Sequence, residues 1–183
     1  TSTDVWHFAG EVEKRLETKI SGIYLKSPVL KIDSIASGGG SIINYQQKRF
    51  TVGPDSAGAF PGPACYRNNG PLTITDCNLI LGRIMPDFFP KYFGKNRNQK
   101  ISKQLAKKKL LMLLEKVQKD YPLIKNIQQL AKAFLDVAVE SMSSTIKKNS
   151  THKGFDLHNY SLLVLGSASG QLACKVAEKL KIK

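Results

Sequence analysis

Five places in the sequence bring together residue types that can handle charge or protons. Thr1-Ser2-Thr3-Asp4 sets three hydroxyls beside a carboxylate, and Gly38-Gly39-Gly40 offers backbone with no side chains in the way. Asp55-Ser56 stands in a stretch rich in Gly and Pro, Asp76 follows Thr75, and Gly166-Ser167-Ala168-Ser169-Gly170 is a run of small residues. The last run is the most readable chemically. It follows an apolar segment and precedes a helical pattern, and a small-residue turn so placed aims backbone N–H groups outward at a helix N-terminus, where phosphate is received. The others carry a structural reading beside the chemical one. The glycines suit a bulge or tight turn as well as the approach of a ligand. Asp76 suits a helix N-cap as well as a metal or substrate contact. On residue type alone, Asp4 is an acid in a terminal turn.

Other chemistries find little support. Cys65, Cys77 and Cys174 lack CxxC spacing, so neither a disulfide framework nor a zinc module is expected, and a reducing, cytoplasmic setting fits best. His7, His152 and His158 show no triad logic that would make Cys65 a nucleophile, and Cys65 reads as packing. The start at Thr1 shows no signal-peptide pattern, and the chain reads as cut from something longer.

The elements that must position these residues follow from periodicity. Ile23-Tyr24-Leu25 and Val29 to Ile35 read as strands, and Ser41–Tyr45 with Arg49–Val52 reads as a hairpin around Gln46-Gln47-Lys48. Gly53 to Gly70, broken by Pro54, Pro61 and Pro63, reads as a long loop, and an ordered loop of that length is usually functional. Thr75-Asp76 is placed to cap a short helix that Gly82 stops. Ala106, Leu110, Leu113, Leu114, Val117 and Tyr121 form one helical stripe ended by Pro122, and a second runs from Ile127 towards Lys148. Lysines 108, 109, 116 and 119 lie opposite the first stripe, facing water. Tyr160–Leu165 reads as a strand covered on both faces, turning at Gly166–Gly170 into a helix from Gln171 to Lys181.

Composition sets the limits. The 183 residues hold 42% hydrophobic side chains, and no apolar run approaches the roughly 20 residues of a membrane helix. The formal charge is +14, split as +1 over residues 1–90 and +13 over 91–183. Lysine supplies 23 of the 28 basic residues, which suits a solvated face better than bidentate recognition of phosphate or bases. Neither nucleic acid nor a membrane is the expected partner.

Several blocks, in this order, resemble the hydantoinase A / 5-oxoprolinase family over nearly the whole chain: Thr1–Val5, Ala36-Ser37-Gly38-Gly39-Gly40-Ser41-Ile42, Val52–Tyr66 (with Gly-Pro-Asp-Ser-Ala-Gly-Ala-Phe-Pro-Gly-Pro-Ala-Cys-Tyr at 53–66), and Pro71–Arg83. The resemblance implies an α/β fold: one half of an actin/Hsp70/sugar-kinase-like (ribonuclease H-like) nucleotide-binding fold, with an inserted helical hairpin. A single partial domain over 1–183 is expected, with a strand- and loop-rich signature part (1–90) and a helical, lysine-rich part (91–183).

The family reaction implies ATP and Mg2+ as cofactors and a small cyclic amide, 5-oxoproline or a hydantoin, as substrate. It implies that Thr1, Ser2 and Thr3 contact phosphate, that Asp4 reaches the metal through water, and that Asp55 and Asp76 join Asp4 in catalysis. Gly38, Gly39 and Gly40, with Gly166, Ala168 and Gly170, are then expected at the nucleotide. The family's preceding Gly-Gly is absent here, and its Gly-Gly-Ala-Gly-Pro-type final turn reads Gly166-Ser167-Ala168-Ser169-Gly170. The resulting expectation is a fragment of an ATP-dependent amidohydrolase, inactive alone and completed by a second polypeptide that supplies the missing half of the cleft. The rival reading is a non-catalytic remnant or a basic module for nucleic acid or anionic surfaces.

Overall fold

The computed structural model describes residues 2–20 and 22–182, so Thr1 lies outside the described residues. Among the described residues, four α-helices and three two-stranded antiparallel sheets form an α/β arrangement in the broad sense, with the helices and the β1–β4 and β5–β6 sheets around one apolar core and the β2–β3 sheet outside it.

The first two sheets come from the N-terminal segment. β1 (Thr3–Val5) pairs with β4 (Asp33–Ile35), and between them β2 (Lys14–Ile20) and β3 (Ile23–Leu30) form a hairpin arm. The sequence reading missed β2 because its Lys-Arg-Leu-Glu-Thr-Lys run has no buried face: Leu16 is 74% exposed. It also joined Val29 to Ile35, whereas the chain breaks at Lys31-Ile32 to leave the arm.

The third sheet is the expected hairpin. β5 (Ser41–Gln46) and β6 (Arg49–Ser56) meet through Gln47 and Lys48, with φ of 50° and 59°, the mirror-image turn that matches strand twist. β6 runs on through Gly53 and Pro54 to Ser56, so the glycine- and proline-rich loop starts at Ala57. A two-stranded sheet leaves an outer edge where proline costs no ladder bond. The loop is drawn shut at its base: a Cβ on Gly70 would sit 1.7 Å from the Gly62 carbonyl oxygen.

α1 (Ile74–Ile80) is buried along its whole length. Its cap is Thr73, two residues before the expected one, with Asp76 at the third helical position closing a capping box, and Gly82 (φ 74°) ends the turn. α2 (Lys103–Gln118) and α3 (Ile127–Asn149) form the expected helical hairpin, capped by Ser102 and Asn126. Leu110, Leu130, Phe134 and Leu135 lie fully inside it. Lys108, Lys116 and Lys119 face water, while half-buried Lys109 donates 2.6 Å to the Gly70 carbonyl.

The C-terminal segment departs most from expectation. Tyr160–Leu165 forms no strand, and Leu163 and Leu165 are 80% and 69% exposed, so the expected cover on both faces is missing. α4 (Ser167–Leu180) begins four residues earlier than read, because the small residues after Gly166 (φ 93°) enter the helix instead of forming a loop.

Candidate functional site

Three of the expected groups meet at one corner of the molecule. The register of β1 against β4 sets Asp4 opposite Ser34, whose hydroxyl donates 2.6 Å to the exposed Asp4 carboxylate. Thr3 donates through Oγ1 to the Ser37 carbonyl at 3.3 Å, tying β1 to the glycine turn. That turn is closed by Ser41 N–H to Gly38 O at 3.0 Å and Gly38 N–H to Ser41 Oγ at 2.9 Å.

Gly38, Gly39 and Gly40 are all buried in a tight turn, the structural of the two readings they allowed. A Cβ on Gly39 would lie 3.0 Å from Thr75 Oγ1 and 3.1 Å from the Ala168 Cβ. The missing side chain thus lets the first turns of α1 and α4 close on the glycine turn. Thr75 donates to the Gly39 carbonyl from both N–H and Oγ1, each at 2.9 Å, and Ala57 N–H reaches Gly40 O at 2.9 Å.

The first turn of α4 is the open side of this corner. Gly166, Ser167 and Gly170 are exposed, Ala168 is half-buried against Gly39, and no side chain caps the helix. A 14-residue helix so ended carries uncommitted N–H groups and the positive end of its dipole. Ser169, Thr3 and Asp4 line the same cavity of about 540 Å³, whose walls are otherwise mainly apolar.

The other two expected acids lie elsewhere. Asp55 is exposed near the end of β6, two residues before the Ala57 that bonds Gly40. Asp76 is fully buried and removed from the cavity. Its carboxylate accepts from Ala64 N–H (3.1 Å), Cys65 N–H (2.8 Å), Thr73 N–H (2.9 Å) and Thr73 Oγ1 (3.1 Å). Burial raises its pKa, and the hydrogen bonds from Cys65 and Thr73 pull the other way. Asp76 is therefore the post around which the Ala57–Gly70 loop folds, which accounts for it without substrate or metal.

Electrostatics narrows the chemistry further. Burial pushes the Cys65 and Cys77 thiols up, out of the range where either forms a thiolate at neutral pH. The His7 ring packs at a tilt on Phe155 and Tyr160, with centroids 4.3 and 4.8 Å away, and burial lowers its pKa. Among the described residues no three His, Cys, Asp or Glu side chains gather to hold a metal. Asp4 alone still fits Mg2+, an ion that commonly takes one or two carboxylates with water and substrate phosphates.

Sequence reasoning missed the partners of these groups. Ser34, Ser37 and Thr75 reach the corner through contacts 30 or more residues distant in sequence. Arg83 Nη1 donates 3.0 Å to the Gln171 carbonyl, fastening α4 to the end of α1.

A family model described as hydantoinase/oxoprolinase matches residues 1–183. The 5-oxoprolinase of Saccharomyces cerevisiae is 42% identical over 183 residues, covering 100% of this chain and 14% of that protein. The 5-oxoprolinase of Dictyostelium discoideum is 40% identical over 185 residues, 98% of this chain and 14% of that one. Among solved structures, the ATP-dependent caprolactamase from Pseudomonas jessenii superposes with a TM-score of 0.72 at 26% identity, over 100% of this chain and 27% of that one. Nucleotide-free acetone carboxylase gives 0.77 at 24% identity, over 100% and 25%, a likeness of fold. The chain thus spans about one seventh of the length of these 5-oxoprolinases.

Proposed function

The chain belongs to the hydantoinase/oxoprolinase family, and from that premise we propose that it is the phosphate-facing segment of an ATP-dependent enzyme that opens a cyclic amide such as 5-oxoproline or a hydantoin. The observation that carries this reading is that Thr3, Asp4 and Ser169 of the uncapped first turn of α4 line one cavity. In this reading the segment is part of one half of an actin/Hsp70/sugar-kinase-like cleft, a partial domain whose signature part is 1–90 and whose lysine-rich part is 91–183. Other polypeptide completes the cleft in a cytoplasmic enzyme.

A lactam carbonyl is a poor electrophile, and phosphorylating its oxygen creates a leaving group before water adds. Bound ATP would supply the phosphoryl group, with Mg2+ offsetting the charge of the phosphates. The hydroxyl of Ser2, that of Thr3 once turned from the Ser37 carbonyl, and the N–H groups between Gly166 and Gly170 would orient phosphate oxygens, Asp4 would hold the metal through water, and Ser34 fixes the Asp4 rotamer. Asp55, at the far side of the glycine turn, is the acid left to face the amide.

A thermal-shift titration tests the reading. MgATP is expected to raise the melting temperature of the chain, Asp4→Asn to remove the dependence on Mg2+ while keeping the fold, and salt to change the shift little. A chain that ignores MgATP and instead binds nucleic acid with a steep salt slope would overturn it in favour of a basic binding module.

A further inference from the structure

The segment between α1 and α2 presents a surface away from the cavity, since no residue from 85 to 109 lines that space. Its charge is one-sided. Residues 85–109 hold eight basic side chains against a single acid, Asp87, and Lys100 pairs with that acid at 2.6 Å. Lys91, Lys95, Arg97 and Lys103 are exposed and carry the excess to solvent. A solvated lysine face would explain the charge alone, but aromatic side chains stand in it: Phe88 and Tyr92 are 85% and 75% exposed, with Met85 at 61%. The backbone holds them out. One 3-10 turn at Pro86–Phe88 sends Phe88 to solvent and Phe89 inward, and Tyr92 and Phe93 divide in the same way. Phe93 packs on Tyr66 and Phe89, with centroids 4.2 and 5.8 Å away. Phe93 and Gln99 exchange backbone bonds of 3.0 and 3.1 Å, Gly94 N–H donates 3.1 Å to the Tyr66 carbonyl, and Arg67 Nε donates 2.7 Å to the Lys100 carbonyl.

We propose that this surface docks a polypeptide of different sequence, whose face carries carboxylates around apolar pockets that take Phe88 and Tyr92. Complementary charge steers the encounter, and the two rings are anchors of the kind that dominate interface energy. The lysines form the polar rim, where charge sets rate and partner choice. Preorganisation selects the class of partner. Rings held at a fixed separation on a tied loop lose little freedom on entering pockets shaped to them, whereas a bilayer or a nucleic-acid strand would accept them at any spacing. A second copy of this chain is disfavoured as the occupant, because each copy carries a formal +14 and offers this patch no acidic counterpart of matching size.

The test measures binding of labelled probes to the purified chain at physiological ionic strength. The probes are a glutamate–tyrosine copolymer, polyglutamate of the same length, an oligothymidine, and vesicles of phosphatidylserine and phosphatidylcholine. Expected is that the copolymer binds about tenfold tighter than polyglutamate, that Phe88→Ser with Tyr92→Ser abolishes this preference, and that Lys91→Glu with Lys95→Glu weakens both polymers by about tenfold. Lys125→Glu with Lys147→Glu, an equal change of charge elsewhere on the surface, is expected to leave both nearly unchanged. All six positions are exposed, and the melting temperature of each variant checks that its fold is kept. Equal loss from the control pair, no preference for the copolymer, a preference that survives loss of both rings, or tighter binding to oligothymidine or vesicles overturns the proposal. So does self-association of the chain that Phe88→Ser with Tyr92→Ser removes, which would make a second copy the occupant. No nucleotide enters the readout, so failure here leaves the proposed function standing, and a missing MgATP shift leaves the docking surface standing.

Discussion

The region from Gly38 to Asn149 and the region formed by residues 2–35 with 155–166 obey different rules, though the same chain builds both. In the first, every residue of α1 is buried, the Ala57–Gly70 loop is tied to a buried carboxylate, and Phe134 and Leu135 are sealed between helices. In the second, the β2–β3 arm packs mainly on itself, and Leu16, Ile23, Tyr24 and Leu163 are all more than 60% exposed. Apolar side chains have been placed in both. What differs is that the first region encloses a continuous apolar core, although Phe60, Phe88, Tyr92 and Leu123 on it are more than 70% exposed, whereas the second buries little of its apolar surface.

That contrast can be broken by substitution. The largest effect is expected at Asp76: Asp76→Ala leaves four buried donors without an acceptor and should cost roughly 3 to 5 kcal/mol in denaturant unfolding. Gly39→Ala should follow at about 1 to 3 kcal/mol, because its Cβ meets Thr75 and Ala168 and neither can withdraw without loosening a first turn. Smaller and local is the tether at Glu13, whose carboxylate lies 2.9 Å from both Lys31 and Lys153 and is held down to about 2. A lowered acid stabilises above its ordinary value, so the tether should hold above pH 4.5 and loosen as pH falls towards 2. Exchange of the arm's amides should then rise while α1 stays protected. Least of all, Leu16→Ser on the arm should change stability by under about 0.5 kcal/mol. A large loss there would mean the arm is packed, and would erase the distinction.

The same distinction governs what could be read in advance. α2 and α3 were legible because a 3.6-residue stripe, a capping residue and Pro122 are all local signals, and the β5–β6 hairpin was legible from its two short apolar runs. Tyr160–Leu165 has a strand's composition, but among the described residues no strand pairs with it. β2 was invisible because, among the described residues, neither of its faces is buried. At the candidate site, the α4 turn is legible from its small residues ahead of a helical pattern and Asp4 through family resemblance, whereas Ser34 and Thr75 depend on register and helix docking that no short window contains.

The Arg83 bond to Gln171 gives α1 a mechanical role. One end of α1 is pinned through Asp76 to Ala64 and Cys65 in the glycine- and proline-rich loop, and just past its other end Arg83 grips the first turns of α4. Seven helical residues span about 10 Å. α1 is thus a short stiff rod between α4 and the loop that follows β6, and a tilt of α4 must either break the Arg83 contact or push that loop by a comparable stroke.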